Sequence, residues 1–461
     1  NITRKGMKYM INIKTNSRKV KPGDTFVAIK GFTVDGHDYI EDAIKAGATK
    51  IVCEHGSYSV ETLVVPSTKE WVQKYIVDNY KDEVNKLRII GVTGTNGKTT
   101  TCFLTYQALK KLGVNAAYMG TIGFYYGDTK YELNNTTPEI LDLYSYFIEA
   151  LEHGVTDVVM EVSSHSLCEK RVEGLEFSEV AFTNLTEDHL DYHKTMENYL
   201  NAKLLILKQI KKDGVVIVNN DDDYGKYFEV GNYKTLGYSG DNYKILDYSQ
   251  TDKGTLISFM VDGKKYEIET NLRSKFNVYN YLTCLALLNN LGFSIEEIAE
   301  VTKSIYPPKG RCEQISVNGG EAVIDYAHTP DAVDKIISAF LENKKGKVIT
   351  IVGCGGDRDP LKRPIMGNIA SEKSDYVIFT SDNPRTEDPK AILEDIIKGV
   401  RKDNYEVEID RPTAIRKGLD MIGKNDVLLI LGKGHENYQI IGNNKTHFND
   451  KETVLEILKE R

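Results

Sequence analysis

The sequence predicts an α/β protein built from three domains. Three observations carry that expectation. The 461 residues correspond to about three domains at roughly 150 residues each. Short apolar runs of strand length alternate with helix-length stretches along most of the chain, as in parallel sheets covered by helices. One such run, 87–92, passes directly into a glycine loop and then a helix-forming stretch over 98–112.

The first unit, 1–84, is read as a small N-terminal α/β domain, with a strand-like run at 24–29, a helical stretch at 39–48 and a short strand at 50–52. The charged stretch 79–86 reads as a linker. The second unit, 85–310, is read as a central parallel sheet with strands at 87–92, 157–162, 179–185 and 214–219. Alternating residues over 238–270 predict an antiparallel extension, and Pro307-Pro308-Lys309-Gly310 a hinge. The third unit, 311–461, is read as a Rossmann-like sheet with strands at 322–326, 348–352, 376–380 and 427–431. Each of these strands ends in a polar, glycine-rich or charged loop, and ligands of open α/β sheets gather at the carboxyl ends of strands.

Composition narrows the function classes. Lys plus Arg is 59 and Asp plus Glu is 67, a net charge of −8, which argues against a nucleic-acid binder. No apolar run approaches the roughly 20 residues of a membrane span. The opening residues Asn1 to Gly6 lack the apolar stretch of a secretory signal, and the chain begins with Asn rather than Met, so some N-terminal sequence is expected to be missing. Six cysteines are scattered without a CxxC pair. They read as reduced core thiols of a cytosolic protein.

Gly94-Thr95-Asn96-Gly97-Lys98-Thr99-Thr100 carries the chemistry of a phosphate loop. Glycines let backbone N–H groups approach phosphates, the helix start favours negative charge, Lys98 neutralises phosphate oxygens and Thr99 offers a hydroxyl to Mg²⁺. The general P-loop pattern would put its first glycine at Val92, whereas Gly91 stands one place early. Glu161 closes a strand beside this loop and suits Mg²⁺. The run Asn184-Leu185-Thr186-Glu187-Asp188-His189 to His193 is dense in carboxylates and imidazoles; it reads either as part of that site or as a solvated loop. Lys203, taken alone, is a helix-surface lysine. Thr136, Thr137, Ser163 and Arg171 read as binding residues or as helix caps and turns, with Ser163 and Arg171 about two helical turns apart. Asp357-Arg358-Asp359 is an anion site or a local ion-pair network. In Asp382-Asn383-Pro384-Arg385, Pro384 pins a turn and Arg385 presents a planar fork suited to a carboxylate; its bland alternative is a surface arginine.

These strings, in this order, resemble the Mur ligase family, which includes the folylpolyglutamate synthases. The glycine loop with its displaced first glycine is similar to that family's variant loop. The resemblance runs from about Thr15 to Asp450 and implies an ATP-dependent amide-forming ligase. It implies ATP at Gly94, Thr95, Asn96, Gly97, Lys98, Thr99 and Thr100, with Asn277 of Phe276-Asn277-Val278-Tyr279-Asn280 and Arg311 also at the nucleotide. Mg²⁺ is implied at Thr99, Glu161, His189 and Lys203, the last as a carbamate, and Lys98, Glu161, His189 and Lys203 as the catalytic set. Thr15 to Val20, with Ser17, and Phe32-Thr33-Val34-Asp35-Gly36 resemble the uridine-binding segments. Ser17, Thr136, Thr137, Ser163, Glu169 and Arg171 are implied to hold a UDP-N-acetylmuramoyl-dipeptide. Arg358, Asp382, Asn383, Pro384, Arg385, Gly432 and Glu436 are implied to hold meso-diaminopimelate, with Arg385 on its distal carboxylate and Glu436 on its distal ammonium. Three departures stand out: Asn16 where relatives have Asp, Glu169 where many have Gln, and Ser274 where glycine is expected.

The implied reaction is acyl-phosphate ligation in cytoplasmic peptidoglycan precursor synthesis, hence in cell-wall growth, shape and division. A monomer without nucleic-acid or membrane partners is expected. The lysine-adding branch is the nearest alternative, a folylpolyglutamate synthase the next, and an ATP-dependent switch without ligase activity the alternative from another class.

Overall fold

The computed structural model describes residues 11–31, 34–251, 254–342 and 344–460. Of the uridine-type segment, Phe32 and Thr33 lie outside the described residues, as do the opening residues up to position 10. Within the rest, three large sheets follow one another along the chain, and a two-stranded hairpin of Tyr438–Ile441 and Asn444–His447 comes after them.

The first is a parallel sheet of Ile13–Lys14, Thr25–Val27, Lys50–Cys53 and Glu61–Val64, paired in sequence order. Phe26, Ala28, Ile51 and Cys53 pack with Ile40 and Ala43 of the helix Ile40–Lys45. The linker expected over 79–86 is instead the second half of a helix, Thr68–Val84. Its charged residues occupy the solvent side while Thr68, Val72, Ile76 and Val84 are buried, so a sequence window sees charge where the helix has one apolar face. That face shares a core with Leu143, Tyr144 and Phe147 of the helix Ile140–Glu152, so the helix docks the first unit onto the second.

The central sheet has eleven strands. Its parallel part runs Tyr243–Gln250, Tyr233–Gly237, Ile210–Asn219, Phe177–Phe182, Arg88–Thr93, Asp157–Glu161 and Ala116–Gly120. The antiparallel extension expected over 238–270 is present as Thr255–Val261 and Lys264–Thr270 on one edge, and a second forms on the other edge from Gly123–Tyr126 and Thr129–Tyr131. Successive residues of the inner strands feed opposite cores. Ile89, Val158, Val180 and Phe182 face the helices Thr68–Val84 and Ile140–Glu152, whereas Ile90, Val159 and Ala181 face Lys98–Lys111 and Lys275–Asn290. Burial on both faces explains their unbroken apolar character.

The third sheet orders Glu313–Val317, Gly320–Asp325, Val427–Leu431, Val348–Val352, Tyr376–Phe379 and Tyr405–Val407, antiparallel only in the first pair. The strand ends of the second and third sheets place their loops against each other.

Glu179 lies inside the central sheet, 2% exposed. Asn290 donates to its Oε1 at 2.9 Å, and its Oε2 has no partner among the described residues. Burial pushes the carboxyl up to about 8, against the pull of Asn290, Arg88 and Lys234 and with a push from Asp157. The folded chain therefore keeps a proton that the unfolded chain releases near 4.5, and stability falls as pH rises between those values. Glu179→Gln is expected to flatten this fall, by up to about 1.4 kcal/mol per pH unit. Urea unfolding measured from pH 5 to pH 9 checks it; parallel profiles for the two proteins would refute it.

Candidate active site between the second and third sheets

The phosphate loop bridges Arg88–Thr93 and the helix Lys98–Lys111. Gly94 has φ +143° and a Cβ there would meet Thr183 Oγ1 at 1.9 Å; Gly97 has φ +86° and a Cβ there would meet Asn280 Oδ1 at 2.4 Å. Both positions require glycine. The loop is strapped to the end of the neighbouring strand: Thr95 N donates to Asn184 O at 2.8 Å, Asn96 N to Asn184 Oδ1 at 2.9 Å, and Thr183 Oγ1 to Asn96 O at 2.6 Å. Lys98 Nζ arches over the loop, 2.8 Å from both Gly94 O and Thr95 O. A cavity of about 410 Å³ opens beside it, bounded by Asn96, Gly97, Thr100, Asn277, Tyr279 and Arg311.

Glu161, fully buried, sits at the base. Its Oε1 accepts from Tyr118 Oη at 2.7 Å and Thr121 N at 2.8 Å. Its Oε2 accepts from Thr99 Oγ1 at 2.9 Å and Thr121 Oγ1 at 3.2 Å. Arg311, from the third unit, donates to the same Thr99 hydroxyl at 3.3 Å and stacks on Tyr326 at 4.6 Å.

Lys203 is 1% exposed, so the reading of it as a helix-surface lysine is corrected: the helix Met196–Leu204 turns this side inward. Its Nζ donates to Gly94 O at 2.8 Å and lies over the Tyr199 ring. Burial first, then repulsion from Lys98, drives its pKa well below the usual ammonium range, with Asp188 opposing. His189 takes a left-handed backbone, φ +55°, and stands edge-on to His165 at 4.9 Å. Burial lowers its pKa to about 4, against the attraction of Asp188, so the imidazole is neutral near pH 7.

A second cavity, about 510 Å³, continues past His189. Thr136, Thr137, Ser163, His165 and Arg171 form one wall, and Arg358, Asp382, Asn383, Arg385, Gly432 and Glu436 the other. Tyr326 and His328 border both cavities. The helix after Ser163 is only Ser164–Cys168; a turn at Lys170, φ +56°, replaces the expected second helical turn and brings Arg171 back, where it donates to Thr137 O at 3.1 Å. Neither Ser17 nor Glu169 borders this cavity; the Glu169 carboxylate is held by Arg171 at 2.8 Å. Arg385, φ +53°, donates to Gly356 O at 2.6 Å. Glu436 Oε2 accepts from Asn383 Nδ2 and from the buried Lys433, each at 2.9 Å. Arg358 donates to Asp357 O at 3.0 Å, while Asp357 caps Thr386. Pro384 does not border the cavity.

Sequence reasoning missed Asp331. Its Oδ2 accepts from Asn96 Nδ2 at 2.9 Å, Thr186 Oγ1 at 3.1 Å and Lys335 at 2.9 Å, tying the third unit to the phosphate loop. In sequence it is an acid in the first turn of a helix, a common capping choice.

Ser274, where glycine was expected, has φ +85° and ψ 150°, a region that glycine alone enters freely. Its Oγ is buried without a partner among the described residues. Ser274→Gly is expected to raise stability by about 1 kcal/mol, the relief of strain less the entropy of an added glycine. Thermal unfolding checks this; a lower midpoint would refute it.

Three family models match the chain in order: "Mur ligase family, catalytic domain" over 10–89, "Mur ligase middle domain" over 92–288 and "Mur ligase, glutamate ligase domain" over 310–434. A UDP-N-acetylmuramoyl-L-alanyl-D-glutamate–2,6-diaminopimelate ligase of Clostridium acetobutylicum is 42% identical over 459 residues, covering 97% of this chain and 95% of the relative. The ligase of that name from Fusobacterium nucleatum is 44% identical over 453 residues, covering 95% and 92%. A solved structure of a ligase of that name matches with TM-score 0.66 and 29% identity, covering 98% and 95%. A MurF ligase of Thermotoga maritima in complex with ADP shares the fold, with TM-score 0.72, 21% identity and 97% coverage of each chain.

Proposed function

This chain belongs to the Mur ligase family, and we propose from that premise that it joins meso-2,6-diaminopimelate to UDP-N-acetylmuramoyl-L-alanyl-D-glutamate at the expense of ATP. The observation that carries the reading is the second cavity, with Thr137, Ser163 and Arg171 on one wall and Arg385 and Glu436 on the other, which shares Tyr326 and His328 with the cavity beside the phosphate loop. Full-length relatives near 40% identity named as diaminopimelate ligases support the choice of amino acid.

The nucleotide fits the first cavity, with its phosphates on the loop 94–100. Arg171 and the Thr137–Ser163 pair would orient the dipeptide so that its free glutamate carboxylate meets the γ-phosphorus. A carboxylate oxygen attacks phosphorus, the bond to the β-phosphate oxygen breaks, and ADP leaves. Lys98 and Arg311 offset the charge on the phosphoryl oxygens. The neutral amine of diaminopimelate then attacks the acyl carbon, and phosphate departs as the amide forms. His328 commits Nδ1 to Tyr326 O at 2.8 Å, which leaves Nε2 as an acceptor for the amine's proton at the border of both cavities. Walls from two units imply that closure brings the reactants together.

Mg²⁺ suits the donors present: the Thr99 hydroxyl and Glu161 carboxylate are hard oxygen ligands that hydrogen-bond each other at 2.9 Å, a bond the ion would replace, and the neutral imidazole of His189 can join them. Among the described residues no cluster of three His, Cys, Asp or Glu side chains forms a cage, so the set relies on Thr99 and on Lys203. A buried amine without a carboxylate ion-pair partner among the described residues suits conversion to a carbamate, in which the neutral nitrogen adds to dissolved CO2 and gives up a proton, and the carbamate supplies a further oxygen ligand. When bound, the ion would neutralise phosphate charge during transfer.

No helix among the described residues is long and apolar enough to cross a membrane. We place the enzyme in the cytoplasm from its membership of this family, and read it as a monomer whose single chain supplies both walls of each cavity.

In a competition between meso-diaminopimelate and L-lysine for ligation, diaminopimelate is expected to dominate; equal or better use of lysine would sink the assignment. Arg385→Ala is expected to raise the KM for diaminopimelate by about 10- to 100-fold, the loss of a charged hydrogen bond of about 1.5–3 kcal/mol, with little change for ATP. Steady-state kinetics with each substrate varied separately provides the check, and equal effects on both would remove Arg385 from the amino-acid site.

A further inference from the structure

Behind the amino-acid wall lies an ion pair that lines neither of these cavities. Arg411, the first residue of the helix Arg411–Met421, and Asp450, the first of Asp450–Lys459, are both fully buried. The pair is bidentate: Arg411 Nε meets Asp450 Oδ1 and Nη2 meets Oδ2, each at 2.8 Å. The guanidinium also reaches two main-chain carbonyls. Nη2 donates to Leu431 O at 2.9 Å and Nη1 to Ser381 O at 3.4 Å.

Those carbonyls immediately precede the two recognition loops. Ser381 leads into Asp382-Asn383-Pro384-Arg385, and Leu431 into Gly432 to Glu436. The partner end is tied to the same place. Asn449, beside Asp450, donates from Nδ2 to Glu436 O at 3.0 Å, and Phe448 N donates to Asn437 O at 3.1 Å. One planar fork thus sets the spacing of the loop carrying Arg385 relative to the loop carrying Glu436. A lysine has neither the fork nor enough donors in fixed directions to do the same.

We infer that Arg411, clamped by Asp450, is a positioning residue for amino-acid recognition: it fixes the separation of Arg385 and Glu436 and so sets affinity and selectivity for a substrate with charged groups at both ends. The inference rests on the proposed amino-acid site. A merely structural ion pair would lower stability and affect all three substrates alike. A positioning pair changes one.

The test uses the full-length enzyme with three variants. Arg411→Met combined with Asp450→Leu removes both charges together, which avoids stranding one in the core, and Arg411→Lys keeps the charge without the fork. Arg385→Ala serves as the control for the site itself. The double variant is expected to raise the KM for diaminopimelate by about 10- to 100-fold and to narrow the preference over lysine, with the KM values for ATP and for the UDP-linked dipeptide within about twofold. Arg411→Lys should shift the same constant in the same direction, by less. An unchanged KM for diaminopimelate in either folded variant, or equal rises for all three substrates, overturns the inference. If Arg385→Ala shifts the diaminopimelate KM while the Arg411 variants do not, only the positioning role fails. If Arg385→Ala leaves it unmoved, the site reading fails and the positioning role falls with it. Should the double variant not fold, Arg411→Lys alone decides between these outcomes.

Discussion

The site depends on one buried carboxylate. Glu161 accepts four hydrogen bonds, from Tyr118, Thr99 and the backbone and side chain of Thr121. These donors come from the strand Ala116–Gly120, the residue after it, and the first turn of the phosphate-loop helix. A charge in such a place is tolerated only when its lone pairs are filled. Filling them fixes the strand ends relative to the loop. The Thr99 hydroxyl is shared between Glu161 and Arg311 of the third unit, so the network that orders the loop also reports the position of the next domain.

Asp331 extends the same logic. It receives Asn96 from the phosphate loop and Thr186 from the loop after the neighbouring strand. Asn96 is itself held through its main chain by Thr183 and Asn184. The third unit therefore docks on a part of the loop that is already rigid. A contact between rigid partners loses little entropy on forming, so a few hydrogen bonds suffice to favour a closed arrangement. The boundary position of Tyr326 and His328 between the two cavities follows from this docking, because both lie in the loop after the strand Gly320–Asp325, just before the helix that carries Asp331.

Much of this was legible in the sequence, for identifiable reasons. The glycine loop, the strand-terminal Glu161 and the loop at 382–385 are local patterns, and local patterns carry their geometry with them. The docking helix was mistaken for a linker because its apolar residues are few and spaced by helix turns among charges. Lys203 looked exposed because a lysine on a helix usually is; only the tertiary fold shows that Tyr199 and Gly94 O enclose it. Asp331 and Arg411 were invisible for a deeper reason. Their partners lie far away in sequence, and neither sits in a motif that names a ligand. The glycine missing at Ser274 was noticed from family resemblance, and the backbone angle supplies its physical meaning.

On the proposed reading of the second cavity, Arg385 and Glu436, which both line it, favour a substrate that carries a carboxylate and an ammonium at its far end. Glu436 already shares Oε2 with Lys433 and Asn383, so a substrate ammonium meets a carboxylate whose charge is partly spent. Lysine would leave Arg385 with only the Gly356 carbonyl. Diaminopimelate brings no net charge, and its distal carboxylate can meet the guanidinium as its distal ammonium meets Glu436. The penalty for lysine is thus an unmet guanidinium, and rejection by an unmet polar group is the strongest form of discrimination a pocket has. Such selectivity needs Arg385 and Glu436 at a fixed separation, which is a demand on the loops rather than on either side chain.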